Sequence, residues 1–592
     1  MAKRLVAAPG RDPGMMHASR EVQVRAIRLS APFALALGAA LAAASCSAPA
    51  PTAPAAAPPP FSVVEASIPE MQAALREGRT TSRAIVTQYL TRIGLYEDRL
   101  NAAVAVNPQA LAEADVLDRE RAAGTLRGPL HGIPVALKDN ILTNDTMSTT
   151  GGMLLFRHYQ APYEATLATN LKKAGAIILA KSTMSELAGW FGTAFRPGGY
   201  NAAVGQSYNP YDPRANDDGT PVLETSGSSS GGGVAANLWA GNVGTSTGGS
   251  IEGPSNFTML VGIRPSTGRI SRYGIIPLSL DQDTAGPMTK TVTDAAIMLG
   301  VMEGAPDPND PRTRECTAPP NNDYTVFLKA DALKGVRIGI PRAGIYTARE
   351  FPGKARPFPG LKADELAAME GAIAALKAAG ADIVDPADLP SMTATSRADN
   401  LTSHPICEGP PSGPAYEELC SHVLQYTMKR DFNLWLDSLD PTAPVTTLSE
   451  LRAWNAANRD RGAMRYGQGR LDFADAADVA RDKARYEADR QNDLRLTREQ
   501  GLDAALTTHK LDALLFPGSA GANYATKAGY PIVAVPYGMV ANYADGAKGS
   551  TDAVRPFGVT FVGGHCADPT LVGIAYAFEQ ATKKRVPPPA FP

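Results

Sequence analysis

Gly244-Thr-Ser-Thr-Gly-Gly-Ser250-Ile-Glu-Gly-Pro254 is a run of small residues around a serine. Alone it predicts a tight turn, because glycine adopts backbone conformations that other residues avoid. Upstream, Ser226-Gly-Ser-Ser-Ser-Gly-Gly-Gly233 alone indicates a flexible loop. Further upstream, Gly128-Pro-Leu-His-Gly-Ile-Pro-Val-Ala-Leu-Lys138-Asp-Asn140 ends an apolar run on a lysine. Because burying an ammonium group is costly, either the strand enters water at Lys138 or this lysine has a chemical role.

Short apolar runs bounded by glycine and proline predict buried strands along most of the chain. These runs are residues 133–137, 177–179, 336–340, 511–516, 532–535 and 559–562. Helical patterns alternate with them, and Ser67-Ile-Pro-Glu70 is a capping box that predicts a helix start. This alternation predicts one α/β domain. Residues 400–500 are predicted to be mostly helical and polar, either as solvated helices over the sheet or as a cover that selects the substrate.

The three stretches, in this order, resemble the amidase signature family. The similarity continues in five further stretches, which are Ala174-Gly-Ala-Ile-Ile-Leu-Ala-Lys-Ser-Thr-Met-Ser-Glu186, Val261-Gly-Ile-Arg-Pro-Ser-Thr267, Asp283-Thr-Ala-Gly-Pro-Met288, Ala528-Gly-Tyr-Pro-Ile-Val-Ala-Val-Pro536 and Pro556-Phe-Gly-Val-Thr-Phe-Val-Gly563. It covers about residues 61–582, and Asn209-Pro-Tyr-Asp212 with residues 433–455 looks most like the peptide amidase branch. The resemblance implies an α/β amidase signature fold, in which helices cover both faces of a central mixed β-sheet in a single large domain, residues 61–592.

The resemblance also implies a Ser–Ser–Lys triad that hydrolyses a carboxamide C–N bond through an acyl-enzyme. Ser250 is the implied nucleophile and Lys138 the implied base, which must be neutral to act. Ser229 is the implied proton relay on a cis peptide bond, with Ser228 as the alternative. The backbone N–H groups of Thr247, Gly248, Gly249 and Ser250 are the implied oxyanion hole. A buried lysine without a nearby carboxylate has a lowered pKa. No cofactor or metal is implied, and the substrate is a small-molecule or peptide amide.

Three features depart from the family pattern. The stretch between the relay and nucleophile serines is shorter than usual near residues 239–243. Ser246 stands where an acidic residue is common, four positions before the nucleophile, and Glu252 stands where an arginine is common, two positions after it. If the acid and the arginine of the family pattern normally interact, the two changes form a compensated exchange.

Other interpretations use the same residues differently. Gly227-Ser-Ser229-Ser-Gly231 fits the nucleophile elbow of α/β-hydrolases, with His565 as the base of a serine esterase. An elbow needs a strand that runs into the serine, and Pro221-Val-Leu-Glu-Thr225 is a poor strand. A non-catalytic envelope protein that keeps the fold for binding is a further hypothesis. With a net charge of −2 the chain lacks the basic surface that nucleic-acid binding requires, which also argues against a transamidase acting on aminoacyl-tRNA.

The N-terminal residues predict export. Three arginines precede an Ala/Leu-rich run over residues 29–44, which is typical of a signal segment and short for a membrane span. Leu41-Ala-Ala-Ala-Ser-Cys46 resembles a bacterial lipoprotein cleavage site, so residues 1–46 are the predicted signal and Cys46 the predicted lipidated residue and membrane tether. Ordinary signal cleavage is the alternative. Residues 47–60, all Ala, Pro, Ser or Thr, predict a flexible linker. We therefore expect a periplasmic or cell-envelope location.

Four further cysteines would lie in an oxidising compartment after export. Cys407 and Cys420 close a short proline-containing loop and are the first candidates for a disulfide, although connectivity does not follow from sequence. His and Cys residues show no metal-ligand spacing. The identity of the amide, the oligomeric state and the choice between lipidation and simple cleavage stay open.

Overall fold

The computed structural model describes residues 60–192, 197–225, 231–351, 358–409, 420–542 and 554–592. Residues 60–592 form one compact unit. Cys46, the linker up to residue 59, Ser228 and Ser229 lie outside the described residues.

The strands of the described residues are β1 Ala103–Val106, β2 Pro134–Lys138, β3 Ile177–Ser182, β4 Tyr200–Asn201, β5 Gly205–Gln206, β6 Gly241–Ser246, β7 Val261–Arg264, β8 Thr284–Thr289, β9 Arg337–Gly339, β10 Asp382–Val384, β11 Ala513–Pro517, β12 Ile532–Ala541 and β13 Val554–Val562. The six runs predicted as buried strands overlap with β2, β3, β9, β11, β12 and β13, so that prediction is confirmed. Most residues of these strands are buried on both faces, which explains why they are continuous apolar runs.

Within the described residues, eleven strands form one mixed sheet in the order β1-β3-β2-β6-β8-β7-β12-β13-β11-β9-β10, and β4 pairs with β5 separately. β2 is parallel to both β3 and β6, whereas β6 is antiparallel to β8. Because β2 and β6 are parallel neighbours, Lys138 at the end of β2 and Ser246 at the end of β6 meet at one edge of the sheet. This places two of the three quoted stretches side by side.

Helices flank the sheet. Those of the described residues are α1 Ile68–Arg76, α2 Ser82–Leu100, α3 Ala110–Ala122, α4 Thr166–Lys173, α5 Gly231–Ala235, α6 Glu252–Phe257, α7 Val292–Glu303, α8 Ala363–Ala378, α9 Pro390–Thr393, α10 Val423–Asp437, α11 Leu448–Ala457, α12 Gly469–Asp475, α13 Lys483–Leu494, α14 Asp503–His509, α15 Ala522–Ala528 and α16 Asp568–Thr582. A π-helical segment, Arg495–Leu502, joins α13 to α14. The predicted capping box is present, with Ser67 as the N-cap of α1. None of the described helices is both long and apolar enough to cross a bilayer.

The helical region of residues 423–475 is more than a solvated surface. Helices α10, α11 and α12 bury apolar side chains, such as Phe432 and Trp435, in a second hydrophobic cluster. That cluster also contains Leu187, Ile276 and Leu278, which belong to loops beside the end of β6. The region therefore packs on segments beside the candidate site, and its role as a substrate-selecting cover stays a prediction.

Candidate active site

Lys138 is completely buried at the end of β2. Its Nζ donates hydrogen bonds to the carbonyl oxygen of Thr245 at 3.0 Å and to Thr245 Oγ1 at 2.8 Å. Asn140 Nδ2 donates to the same hydroxyl at 3.1 Å. The strand thus does not enter water at this lysine, which instead contacts β6 five residues before Ser250.

Burial lowers the pKa of Lys138 to about 7. The direction agrees with the sequence analysis, but a carboxylate does act on the lysine: Asp283, at the entry to β8, partly opposes the effect of burial. Burial in turn raises the pKa of Asp283 to about 6, while hydrogen bonds from Thr247 and the backbone lower it. A lysine with a pKa near neutrality can accept a proton at physiological pH.

The turn that leaves β6 carries Ser250, which is half-buried just before α6. Gly249 has φ +113°, a conformation that other residues rarely adopt, and a Cβ there would lie 3.2 Å from Ala522 Cβ. The positive φ and the close approach of Ala522 both favour glycine at this position. Thr247 Oγ1 donates to the carboxylate of Asp283, which also accepts the N–H groups of Leu278 and Ser279.

Two of the four amides expected to form the oxyanion hole already have a partner. The N–H groups of Gly249 and Ser250 each donate to Ser246 Oγ at 3.1 Å. Among the described residues, no hydrogen-bond acceptor occupies the N–H groups of Thr247 and Gly248. These last two amides are free to bind a substrate oxygen.

Both residues that depart from the family pattern meet in the structure. Ser246 Oγ donates to Glu252 Oε2 at 3.1 Å, and Glu252 is fully buried as the first residue of α6. The two positions are therefore in contact in this chain, and the compensated exchange stays a hypothesis.

The relay serine is not located by the structure, because Ser228 and Ser229 lie outside the described residues. The flanking residues Thr225 and Gly231 are both buried, and α5 begins at Gly231. The relay assignment and its cis peptide bond stay predictions.

A second buried lysine lies beside the first. Lys181 Nζ, on β3, donates to the carbonyl oxygen of Ile141 and, at 2.7 Å, to Thr149 Oγ1. Burial lowers the pKa of Lys181 to about 8, and the nearby Asp139 opposes this shift. Asp139 is itself buried and accepts from Thr150. This group fixes the loop after β2 and thereby the end of the strand that holds Lys138.

A small cavity lies beside Thr245 and Thr247. Polar and apolar side chains line it, namely Asn140, Met184, Leu187, Ala188, Thr245, Thr247, Ile275, Ile276, Pro277, Leu278, Asp283 and Thr284. Leu187 and Ala188 have φ of 37° and 52°, an uncommon conformation that tends to occur at functional sites. A larger cleft lies at the far end of α6, beside Asn256 and Phe257, and of the expected site residues that the structure describes none lines it.

The serine esterase interpretation lacks its structural requirements. Residues 221–225 form no strand, so no strand leads into the serine loop. His565 follows β13. Three strands, β8, β7 and β12, lie between β13 and β6, so these two strands are about 19 Å apart at the usual strand spacing. Its ring lies near Glu315, with Nε2 3.8 Å from Oε2, and contacts Tyr530. The structure does not bring His565 to the Lys138 site.

Both Cys–His clusters of the described residues contain a disulfide. Cys407 is bonded to Cys420, which confirms the expected pair, and Cys316 is bonded to Cys566, a pair that the sequence analysis left open. His422 and His565 lie beside these bonds. A disulfide sulfur is not the thiolate that binds metal, so in this state neither cluster offers a thiolate ligand.

Comparison with known proteins gives a consistent result. A family model described as amidase matches residues 84–572. A probable amidase of Arabidopsis thaliana is 33% identical over 534 residues, which cover 89% of this chain and 92% of the relative. A putative amidase of Arthroderma benhamiae is 32% identical over 524 residues, which cover 87% of this chain and 81% of the relative. The solved structure of native peptide amidase from Stenotrophomonas maltophilia is 34% identical, with a TM-score of 0.74. The match covers 89% of this chain and 99% of the solved chain.

The fold and these matches define the class of protein: the chain belongs to the amidase signature family. It is an amidase, a hydrolase of carboxamide C–N bonds, and its structural neighbours include peptide amidases.

Some residues of the site were not assigned a role from sequence. Thr245 accepts from Lys138, Asn140 donates to the hydroxyl of Thr245, and Asp283 holds the turn before Ser250. The signal for Asp283 was its place at the start of a family motif. No local pattern marks Thr245, since its role depends on the pairing of β2 with β6.

Proposed function

We propose that this amidase cleaves its substrate through a Ser–Ser–Lys triad of Ser250, Ser229 and Lys138. One observation carries the proposal: Lys138 is fully buried, and both of the hydrogen bonds that it makes with described residues are donated to Thr245. A neutral amine has two N–H donors and one lone pair, so these bonds use both donors and leave the lone pair free to accept a proton. Burial also favours this neutral form.

The proposed reaction has two halves. Lys138 accepts the Ser250 hydroxyl proton through Ser229, and Ser250 Oγ bonds to the carboxamide carbon. The N–H groups of Thr247 and Gly248, which no described residue occupies, stabilise the negative oxygen, while those of Gly249 and Ser250 donate to Ser246. The C–N bond then breaks, the proton passes to the leaving ammonia or amine, and water hydrolyses the acyl-enzyme.

The site of covalent labelling tests this mechanism. A fluorophosphonate is expected to label Ser250, as located by mass spectrometry, and Ser250→Ala is expected to abolish that label. His565→Ala is expected to keep it, because His565 lies about four strand spacings from β6. Ser228→Ala and Ser229→Ala then identify the relay as the variant that labels slowly.

Other outcomes have definite meanings. A label on Ser229 that requires His565 would replace the triad with the esterase mechanism. A folded wild-type protein that takes no label would favour a non-catalytic binding role.

We further propose that the substrate is a peptide with a C-terminal carboxamide. The support is the 34% identity to a peptide amidase over 89% of this chain. Ammonia release from short peptide amides, measured beside fatty and aryl amides, distinguishes this class from the others.

We also propose that the enzyme is exported to the periplasm or cell envelope and tethered through lipidated Cys46. The signal pattern of residues 1–46 and the Ala/Pro-rich residues 47–60 support this proposal. The two disulfides support it as well, because disulfides persist mainly in oxidising compartments.

Metabolic labelling with an alkynyl fatty acid in a bacterial host tests the tether. The full-length chain is expected to incorporate the fatty acid and to sediment with membranes, and Cys46→Ser is expected to lose both properties. Secreted, unlabelled wild-type protein would indicate ordinary signal cleavage, and reduced protein in the cytoplasm would contradict export.

A further inference from the structure

A buried carboxylate lies next to the nucleophile turn without being part of the proposed triad. Glu252 is fully buried at the start of α6. Its Oε2 accepts the hydroxyl of Ser246 at 3.1 Å and the N–H of Ile251 at 3.2 Å. Its Oε1 lies 3.8 Å from Nε of the buried Arg264. Burying a carboxylate is costly, so this placement requires a physical explanation.

The hydrogen bonds of Ser246 provide one. A hydroxyl has one donor and two acceptor lone pairs. Ser246 uses all three, since it donates to Glu252 and accepts the N–H groups of Gly249 and Ser250 at 3.1 Å each. Because its single proton points at Glu252, both lone pairs face the backbone of the turn. The carboxylate therefore sets the orientation in which Ser246 can hold the two amides.

We propose that Glu252 is a positioning residue that acts through Ser246 to hold the backbone of Gly249 and Ser250. The proposal rests on the proposed function, in which Ser250 is the nucleophile. With these two amides held, Ser250 Oγ and the N–H groups of Thr247 and Gly248 keep a fixed relative geometry.

The turn benefits from such support because its two glycines, Gly248 and Gly249, lose more conformational freedom than other residues when they are ordered. Gly249 has φ +113°, and on the other side Thr247 is bound to Asp283. The turn is thus held at both ends, by Asp283 before the nucleophile and by the Ser246–Glu252 pair beneath it. Preorganised donors of this kind need little rearrangement when charge develops on the substrate.

Arg264 completes the arrangement without competing for Ser246. Its guanidinium donates to the carbonyl oxygens of Tyr530 at 2.9 Å and Gln282 at 2.7 Å. Its distance of 3.8 Å from Glu252 is longer than a hydrogen bond. The cation therefore offsets the buried charge through space, and Oε2 stays available for Ser246.

A double-mutant cycle tests the proposal, with the rate of Ser250 labelling by a fluorophosphonate as the readout. Ser246→Ala and Glu252→Met are each expected to slow labelling by about 10- to 100-fold, less than the loss of an oxyanion donor itself. Because Glu252 acts through Ser246, the double variant is expected to label within about threefold of Ser246→Ala. Ser246→Thr and Glu252→Gln keep the hydroxyl and an acceptor, and both are expected to label within a few-fold of wild type.

Asp294→Asn is the matched control. Asp294 is also a buried helical carboxylate, in α7, where it accepts the N–H of Ile68 at 2.8 Å, away from the turn. Its substitution is expected to lower thermal stability and to leave the labelling rate unchanged.

Two results would overturn the positioning role: a double variant that loses the product of the two single losses, or single variants that label at the wild-type rate. If Glu252→Met does not fold, Ser246→Ala still decides, since wild-type labelling by that variant contradicts the proposal. Absence of label on Ser250 in the folded wild type would instead overturn the proposed function.

Discussion

Replacing Lys138 with methionine is expected to slow fluorophosphonate labelling of Ser250 by about 10²–10⁴-fold, the usual contribution of a general base. Methionine fills a similar volume and has no proton acceptor of comparable strength. The loss should appear in the labelling rate and not in folding, because burying a methionine costs less than burying an amine.

The same lysine predicts the pH dependence of the wild-type enzyme. Its pKa of about 7 means that the neutral, active fraction falls as the pH drops below 7. We expect the labelling rate to fall about tenfold per pH unit below this value and to level off above about pH 8. A profile of labelling rate against pH from 5 to 9 measures this decrease, which is the acid limb of the profile.

Lys181→Met is the matched control for Lys138→Met. Lys181 is equally buried, but it donates to Ile141 and Thr149 and lies beside Asp139. Its loss leaves the buried carboxylate of Asp139 without its nearby cation, so we expect lower stability, while the decrease in labelling rate below pH 7 persists. If Lys181→Met removed that limb and Lys138→Met kept it, Lys181 would be the base.

Replacing Arg269 with methionine is expected to lower the free energy of unfolding by about 3–5 kcal/mol, the usual cost of breaking a buried ion pair. Arg269 Nη1 lies 2.7 Å from Glu303 Oε1, and its Nε lies 3.0 Å from Asp568 Oδ2, with no exposed side-chain surface on the arginine. Without the guanidinium, two buried carboxylates lose their cation. Urea unfolding monitored by circular dichroism measures the change.

Arg312→Met is the control for this prediction. Arg312 pairs with Glu315 at 2.8 Å, but both side chains are partly exposed, at 28% and 38%. Solvent screens such pairs, so we expect a loss below about 1 kcal/mol. Equal losses in the two variants would show that the Arg269 cluster contributes no more than a surface pair.

The sequence by itself determined the family, the strands that are buried on both faces and the candidate chemistry of Lys138 and Ser250. These features are local: continuous apolar runs, the capping box at Ser67, and glycines such as Gly249 that the turn requires. The sequence did not predict β6 or β8 as strands, because both are rich in glycine, threonine or proline and contain no continuous apolar run. Those strands exist because they pair with each other inside the sheet, which supplies hydrogen bonds that local propensity does not.

Only the tertiary structure decided which side chains act on one another. Lys138 and Thr245 are 107 positions apart and meet because β2 and β6 are parallel neighbours. The hydrogen bond from Ser246 to Glu252 depends on the position of α6 beside the turn, which the sequence does not show. The pKa of Lys138 also depends on surrounding elements, because burial lowers it and Asp283, which precedes β8, partly opposes that shift. Residue types can be read from a sequence, but pairing and desolvation depend on how distant segments pack together.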